Sequence, residues 1–481
     1  MSNFDSLGIH PSLIAALNSL SIRSPTEIQS KTIPDILNGR DCIGSSHTGS
    51  GKTIAFAIPI LQALAKDPSS SFALILTPTR ELAFQISSQL KALGSLAVPG
   101  FSSCVVVGGM EMTNQALELN KRPHIIIATP GRLVDHLKSA AGEVGRWDLS
   151  RCKFLVLDEA DRMLTPTFAG PLAYLINHHL PPPARRQTLL FTATLTEPVL
   201  ALAEKTPPPG KLKPVVHLCG PRGINLPPRL RQMYSFVPSQ VKETYLYYLL
   251  LNVCRLTGLS PPPVTKSSKK HSSKRVKYSN RAKRLISEAD EKDPVEEIPQ
   301  TIIFVTKPRT AEMLRRALDS DFLPYRIPSS ALHSNLSQME RLKAIEEFEE
   351  RRVRVLVSTD LGSRGLDLKQ VRLVINWDIP LDFNEYVHRV GRTARGGGDG
   401  EGVSVSMVGE NDVECVLKIE EKMNKKMEEL VMKEEVVLDY LNPVSKAKRE
   451  AYLELEEIKF GERQRVNRLK HLALDTKRKA E

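Results

Sequence analysis

The chain has 481 residues, 41% hydrophobic and 25% charged, with a formal net charge of +12. That length exceeds one compact core and predicts two to three domains of ordinary globular composition, while the basic excess points to a polyanionic partner. Its six cysteines, at 42, 104, 152, 219, 254 and 415, contain no CxxC pair, which argues against a zinc site or a disulfide framework and for a reducing compartment. No apolar run is long enough to span a membrane, and the start MSNFDSLGIH lacks a signal-peptide core, so a cytosolic or nuclear protein is expected.

In chain order, Leu13, Ile14, Leu17 and Leu20 recur at helical spacing. SPTEIQSKTIP follows, with Pro25 and Thr26 as a helix start, which places Gln29 on that helix. A glutamine offers a donor and an acceptor together, the pattern an adenine edge requires, although a plain surface role is the commoner one. DCIGSSHTGSGKT, residues 41–53, ends as a phosphate-binding loop. Gly49 and Gly51 let backbone N–H groups approach an anion, Lys52 reaches the outer phosphates, and the Thr53 hydroxyl suits Mg²⁺. The usual first glycine of such a loop is Ser46 here.

Short apolar strands then alternate with helical stretches. Phe72–Leu76 leads into PTRELA (78–83), Cys104–Val107 into Gly108-Gly109, and Ile125–Ala128 into TPGR (129–132). Backbone N–H, hydroxyl and guanidinium groups at such strand ends suit phosphate and sugar contacts. Phe154–Leu157 runs without alternation, as in a strand buried on both faces, and ends in Asp158, Glu159 and Asp161. Carboxylates at a strand end are placed to hold Mg²⁺ and to orient a water. Leu189–Phe191 runs into Thr192-Ala193-Thr194.

Residues 205–230 are rich in Pro and Gly and read as a connection with little regular structure. A second α/β unit begins at Arg231, with an amphipathic helix over 241–256. Residues 258–299 carry a basic and then an acidic block and too few apolar residues for a core. They read as a disordered, charge-segregated insert suited to nucleic acid, to nuclear import or to simple solvation. TIIFV (301–305) resumes the sheet, followed by ALHSNLSQMER, VRVLVSTDLGSRGLD (353–367), VRLVINWDIP and HRVGRTAR (388–395), the last read as one helical segment with Arg389, Arg392 and Arg395. From 411 the chain is dense in Lys and Glu, a charged helical extension that packs partly on the second domain and frays at its end.

SPTEIQ, SSHTGSGKT, PTRELA, Gly108-Gly109, TPGR and DEAD, in that order, resemble the DEAD-box ATP-dependent RNA helicases over roughly residues 1–410. The resemblance implies an α/β fold of two tandem RecA-like domains, each a parallel sheet flanked by helices, at 1–204 and 231–410. It also implies an ATP site formed by Phe4, Gln29, Ser46, Thr48, Gly49, Ser50, Gly51, Lys52, Thr53 and Asp367, with Mg²⁺ on Thr53 and Asp158. Glu159 would position the attacking water, and Arg392 and Arg395 would serve as arginine fingers when the domains close. RNA would be held, mostly by its backbone, at Pro78, Thr79, Arg80, Gly109, Thr129, Arg132, Gln338, Arg341 and Thr359. Asp161, Thr192, Thr194 and His388 would couple the ATP and RNA sites. Two positions depart from the family pattern: Ser21-Ile22 replaces a glycine and an aromatic residue, and Thr192 stands where serine is common.

The expected activity is RNA-stimulated ATP hydrolysis coupled to local duplex unwinding by a monomer. An ATP-gated RNA clamp or assembly platform, and a DNA helicase, are the other readings. The basic insert, basic tail and GRTAR resemble nucleolar members acting on pre-rRNA in small-subunit assembly. Nuclear and nucleolar placement is therefore expected, with a protein activator or pre-ribosomal particle as partner and the cytoplasm as the alternative.

Overall fold

The computed structural model describes residues 3–47, 49–139, 147–219, 226–227, 229–262, 294–360, 368, 371–394 and 401–460. They divide into two compact units, the first within Met1–Pro227 and the second within Pro228–Ser363 and Leu368–Glu481.

The first unit has seven strands: β1 (Cys42–Ser45), β2 (Ala73–Leu76), β3 (Ser103–Val106), β4 (Ile125–Ala128), β5 (Phe154–Asp158), β6 (Gln187–Thr192) and β7 (Val215–Leu218). Their order is β3-β4-β2-β5-β6-β1-β7, with every pairing parallel. Ile75, Ile127 and Val156 point into one buried cluster, and their neighbours Leu74, Ile126 and Leu155 point into another. Helices therefore cover both faces, which is why these strands show no polar alternation. Gly44 lies in the interior of β1 because a Cβ there would come within 2.8 Å of the Phe191 ring.

The second unit repeats the plan with β8 (Leu230–Phe236), β9 (Thr301–Val305), β10 (Ser329–Leu332), β11 (Val355–Thr359), β12 (Leu373–Asn376), β13 (Gly402–Val408) and β14 (Glu428–Glu429). The order is β10-β11-β9-β12-β13-β8-β14, again all parallel. Two parallel sheets flanked by helices are the fold class expected from the sequence.

Three local expectations need correction. The segment 205–230 is not merely a connection, because it supplies β7 on the outer edge of the first sheet. Side-chain contacts hold that segment in place: Lys211 pairs with Asp41 at 2.5 Å, and His217 Nε2 lies 2.7 Å from Asp35 Oδ2. The helix expected to be amphipathic, Lys242–Leu251, is buried around nearly its whole circumference. The layer that covers it comes from the end of the chain, whose helix Leu441–Glu457 buries Val444, Ala447, Ala451 and Leu455 against it and against helix Pro308–Leu318. The charged tail thus completes the second core, with its few apolar residues gathered on one face. Leu259 and Ile298, inside the span read as a solvated insert, are 3% and 0% exposed and belong to that core. The charged blocks of the insert, residues 263–293, lie outside the described residues, as does the tail beyond 460.

Candidate functional site

The carboxyl ends of β5, β6 and β1 lie side by side, with Asp158 paired to Phe191 and Ser45 to Thr192. The phosphate-type loop leaves β1 here. Gly49 and Gly51 take φ values of +79° and +89°, the left-handed region that glycine enters at low cost. Lys52 Nζ turns back over the loop and donates to the carbonyls of Ser46 at 2.6 Å and His47 at 3.1 Å. Ser46 is fully buried, with its Oγ 2.6 Å from the Ser50 Oγ, so the departure from glycine becomes a brace across the loop. Lys52 and Thr53 open helix Lys52–Lys66, whose N-terminus therefore faces the loop. Thr48 lies outside the described residues.

Gln29 joins this loop directly. Its Oε1 accepts from the Thr26 N–H at 3.0 Å, completing a capping box, and its Nε2 donates to the Gly51 carbonyl at 3.0 Å. The expected reader of an adenine edge is thus 2% exposed and ties its own helix start to the loop. Phe4 needs a clearer correction. It is 1% exposed and sits in the same buried cluster as Leu13 and Leu17, so it presents no ring face to a base. Ser21, at the position where relatives usually carry glycine, has φ +62°, a conformation that costs a non-glycine residue about 1 kcal/mol.

Asp158, Glu159 and Asp161 are 4%, 8% and 7% exposed. Burial, reinforced by the neighbouring Glu159 charge, pushes the Asp158 carboxyl up to about 7, while Lys52 pulls the other way. Glu159 turns the chain out of the strand at φ +50°, and its Oε2 pairs with Arg162 at 3.0 Å. Asp161 Oδ2 accepts from the Thr194 hydroxyl at 2.5 Å, and the Thr192 hydroxyl donates to the Thr194 carbonyl at 2.7 Å. Three of the four residues expected to couple sites therefore form one network between β5 and β6.

Among the described residues no group of three His, Cys, Asp or Glu side chains makes a metal site by itself. The donor set suits a cation shared with a phosphate, since Mg²⁺ is usually held by one or two carboxylates plus substrate oxygens. Two adjacent buried acids, one with its proton affinity raised by burial, fit such a cation at Asp158 with the Thr53 hydroxyl.

The other half of the same edge, β3-β4-β2, gathers Pro78, Thr79, Arg80, Gly109, Thr129 and Arg132. Thr79 caps helix Arg80–Ala97 by accepting from the Leu82 N–H at 3.4 Å. The Arg80 guanidinium lies against the Gly108-Gly109 turn so closely that a Cβ on Gly109 would fall 2.0 Å from Nη1. Arg132 grips that turn from the far side, donating to the carbonyls of Val107 at 3.3 Å and Met110 at 3.1 Å. Sequence reasoning missed Gln115, whose amide bonds both the N–H and the carbonyl of Val107 at 3.2 and 2.9 Å. No motif marks that residue.

In the second unit Ser337 and Glu340 form a capping box that starts helix Gln338–Glu349, so Gln338 and Arg341 lie on its first turn. Thr359 ends β11. The three arginines of HRVGRTAR do not share a helix, because the helix Phe383–Val390 stops before Arg392. Nor are Arg389 and Arg392 a solvated basic face. Arg389 is 2% exposed and is spent on Asp360 at 2.5 and 2.6 Å and on the Asp378 carbonyl at 2.5 Å. Asp360 is a partner that the sequence spacing did not reveal. Arg392 is 4% exposed, and its Nε donates to the His388 carbonyl at 3.1 Å. Gly402 lets β13 begin hard against this turn, for a Cβ there would fall 2.4 Å from the Ala394 nitrogen. Arg395 and Asp367 lie outside the described residues.

Known proteins carry the same pattern. The DEAD/DEAH box helicase family matches residues 26–202, and the helicase conserved C-terminal domain matches residues 281–397. The ATP-dependent RNA helicase DBP8 of Mycosarcoma maydis is 46% identical over 98% of this chain and 89% of its own length. Its namesake in Debaryomyces hansenii is 43% identical over 98% of this chain and 96% of its own. Among solved structures, Mss116p bound to ssRNA and AMP-PNP has a TM-score of 0.72 at 26% identity, covering 92% of this chain and 82% of that one. S. cerevisiae Dbp5 bound to RNA and ADP BeF3 has a TM-score of 0.70 at 24% identity, covering 93% and 100%, a likeness of fold.

Proposed function

The chain belongs to the DEAD-box family of ATP-dependent RNA helicases, and from that premise we propose that it remodels precursor ribosomal RNA during small-subunit assembly, as a monomer, in the nucleus and nucleolus. The enzyme is an ATPase. The observation that carries the proposed division of labour is the split carboxyl edge of the first sheet. β5, β6 and β1 present acids and a phosphate loop, and β2, β4 and β3 present a guanidinium-braced turn.

On this reading the loop at Gly49–Lys52 cradles the ATP phosphates, with Lys52 leaving the Ser46 and His47 carbonyls for phosphate oxygens. Mg²⁺, when bound at Thr53 and Asp158, supplies charge neutralisation to those oxygens. Glu159, oriented by Arg162, accepts a proton from the attacking water. Arg392 adds positive charge to the transferred phosphoryl group. Arg80, Arg132 and Arg341 hold the RNA backbone, which makes binding largely independent of sequence and steeply dependent on salt.

The charged insert, the basic tail and the resemblance to nucleolar family members support the ribosomal assignment. The test is to crosslink the protein to RNA in cells and sequence the bound fragments. Enrichment of small-subunit precursor sequences is expected. Fragments spread over messenger RNA, with no precursor peak, would overturn the assignment while leaving the helicase activity untouched.

A further inference from the structure

His333 follows β10 directly and opens the turn that leads to Ser337 and the helix carrying Gln338 and Arg341. Its carbonyl accepts from the Leu336 N–H at 3.2 Å, so the residue shapes the turn through its backbone. Its ring is fully buried. Two groups from elsewhere in the chain enclose that ring: Glu312 Oε2, 3.6 Å from Nε2 and beyond hydrogen-bond reach, and Phe460, which meets it edge-on at a centroid distance of 5.7 Å.

Both of those groups are anchored by the tail helix Leu441–Glu457. Phe460 follows that helix and is held back on it by an N–H donation to the Leu455 carbonyl at 3.0 Å. Glu312 Oε1 accepts from Arg315 at 2.8 Å and Arg316 at 3.1 Å, and Arg316 also pairs with Glu454 of the tail helix. The Ser320 hydroxyl donates to Glu450 at 2.6 Å, extending the same seam. Burial opposes ionisation of Glu312, but the arginine pairs outweigh it, so its pKa is drawn down to about 2 and it stays a carboxylate.

We propose that His333 is a positioning residue through which the seating of the tail helix sets the grip of Gln338 and Arg341 on RNA. The proposal rests on the reading that this helix start contacts RNA. A turn whose first side chain is already enclosed by packing loses less freedom when RNA binds, so the tail raises affinity by pre-organisation and without touching RNA.

Phe460 is only partly buried, so Phe460→Ala removes one support of the ring without emptying the core. The full chain is titrated with a short single-stranded RNA oligonucleotide, following ATP hydrolysis and direct binding, in the parent, Phe460→Ala, Phe460→Tyr, Glu454→Gln and Arg341→Ala. Phe460→Ala and Glu454→Gln should raise the half-saturating RNA concentration by about tenfold, equivalent to ~1.4 kcal/mol, while kcat at saturating RNA and the KM for ATP stay unchanged. Phe460→Tyr, which keeps the ring, should restore the parent value. If Arg341→Ala weakens RNA binding but the tail variants do not, the relay through His333 is wrong and the RNA role of the helix stands. If Arg341→Ala has no effect, the RNA role itself falls and takes the proposal with it. A parallel loss of kcat and of melting temperature in Phe460→Ala would also overturn it, by showing general loosening.

Discussion

The Asp161 carboxylate accepts the Thr194 hydroxyl at 2.5 Å, across the boundary between the turn after β5 and the end of β6. This bond ties the last acid of the DEAD motif to the strand lying between it and the phosphate loop. Both groups are largely shielded from water, so removing one strands the other. Thr194→Val should cost ~1–3 kcal/mol, read as a lowered denaturant midpoint at unchanged slope. A double-mutant cycle with Asp161→Asn should give a clear coupling energy, and additive effects would deny that the bond matters.

Glu159→Gln should abolish ATP hydrolysis while ATP-dependent RNA binding persists. Glutamine keeps the size and the contact with Arg162 but cannot accept the water's proton. The pair of measurements is steady-state phosphate release and RNA retention in the presence of ATP. Hydrolysis at the parent rate would remove Glu159 from the water-activating role.

Asp158 makes the nucleotide-free protein sensitive to pH. Its carboxyl is raised from 3.8 to about 7 in the folded chain, so the unfolded chain gives up this proton first. Stability from this group is therefore full below the unfolded value and is lost as pH rises towards 7. Asp158→Asn removes that penalty. The variant should melt at higher denaturant than the parent at about pH 8, by roughly 4 kcal/mol, and the gap should shrink by about pH 5. A gap independent of pH would contradict the assignment.

Gly109→Ala should act through Arg80. The added methyl would occupy the place of the guanidinium, 2.0 Å from Nη1, at a residue already held at φ +78°. RNA binding should weaken about as much as in Arg80→Ala, with the slope of binding against salt reduced by roughly one ion. The two substitutions together should add little, because both displace the same side chain. Full additivity in a salt titration would show that the turn and the arginine act separately.

Arg392→Ala should remove RNA-stimulated hydrolysis, by roughly 10³–10⁵ if it serves as an arginine finger. ATP affinity without RNA should hardly change. Stopped-flow nucleotide binding set against RNA-stimulated turnover separates the two, and a loss of both in equal measure would indicate damage to the fold around the Arg392–Ala394 turn.

The readable parts of the chain were those in which one residue type serves one local geometry. Gly49 and Gly51 needed positive φ, and the apolar runs from Phe72 to Phe191 needed burial on two faces. The hidden parts depended on distant partners. Nothing in HRVGRTAR distinguishes Arg389 from Arg392, because Asp360, which neutralises Arg389, lies 29 residues upstream. Phe4 entered the expected ATP site through the family resemblance alone, and only packing reveals that the ring is enclosed. The tail's share in the core was hidden by its charge density, because composition averages around a helix, whereas Val444, Ala447, Ala451 and Leu455 share one side.

The lateness of that last helix has a consequence for how the protein is made. Every strand of the first sheet has been synthesised by Leu218, so that domain can close while the rest of the chain is still being translated. The second cannot. Lys242–Leu251 is made early, yet the residues that cover it, from Val437 to Leu455, emerge only after every strand described in the second sheet. A strongly apolar helix thus waits for its cover while the whole second sheet is made, and a premature stop between Val408 and Val437 yields a chain with the helicase motifs and an open core.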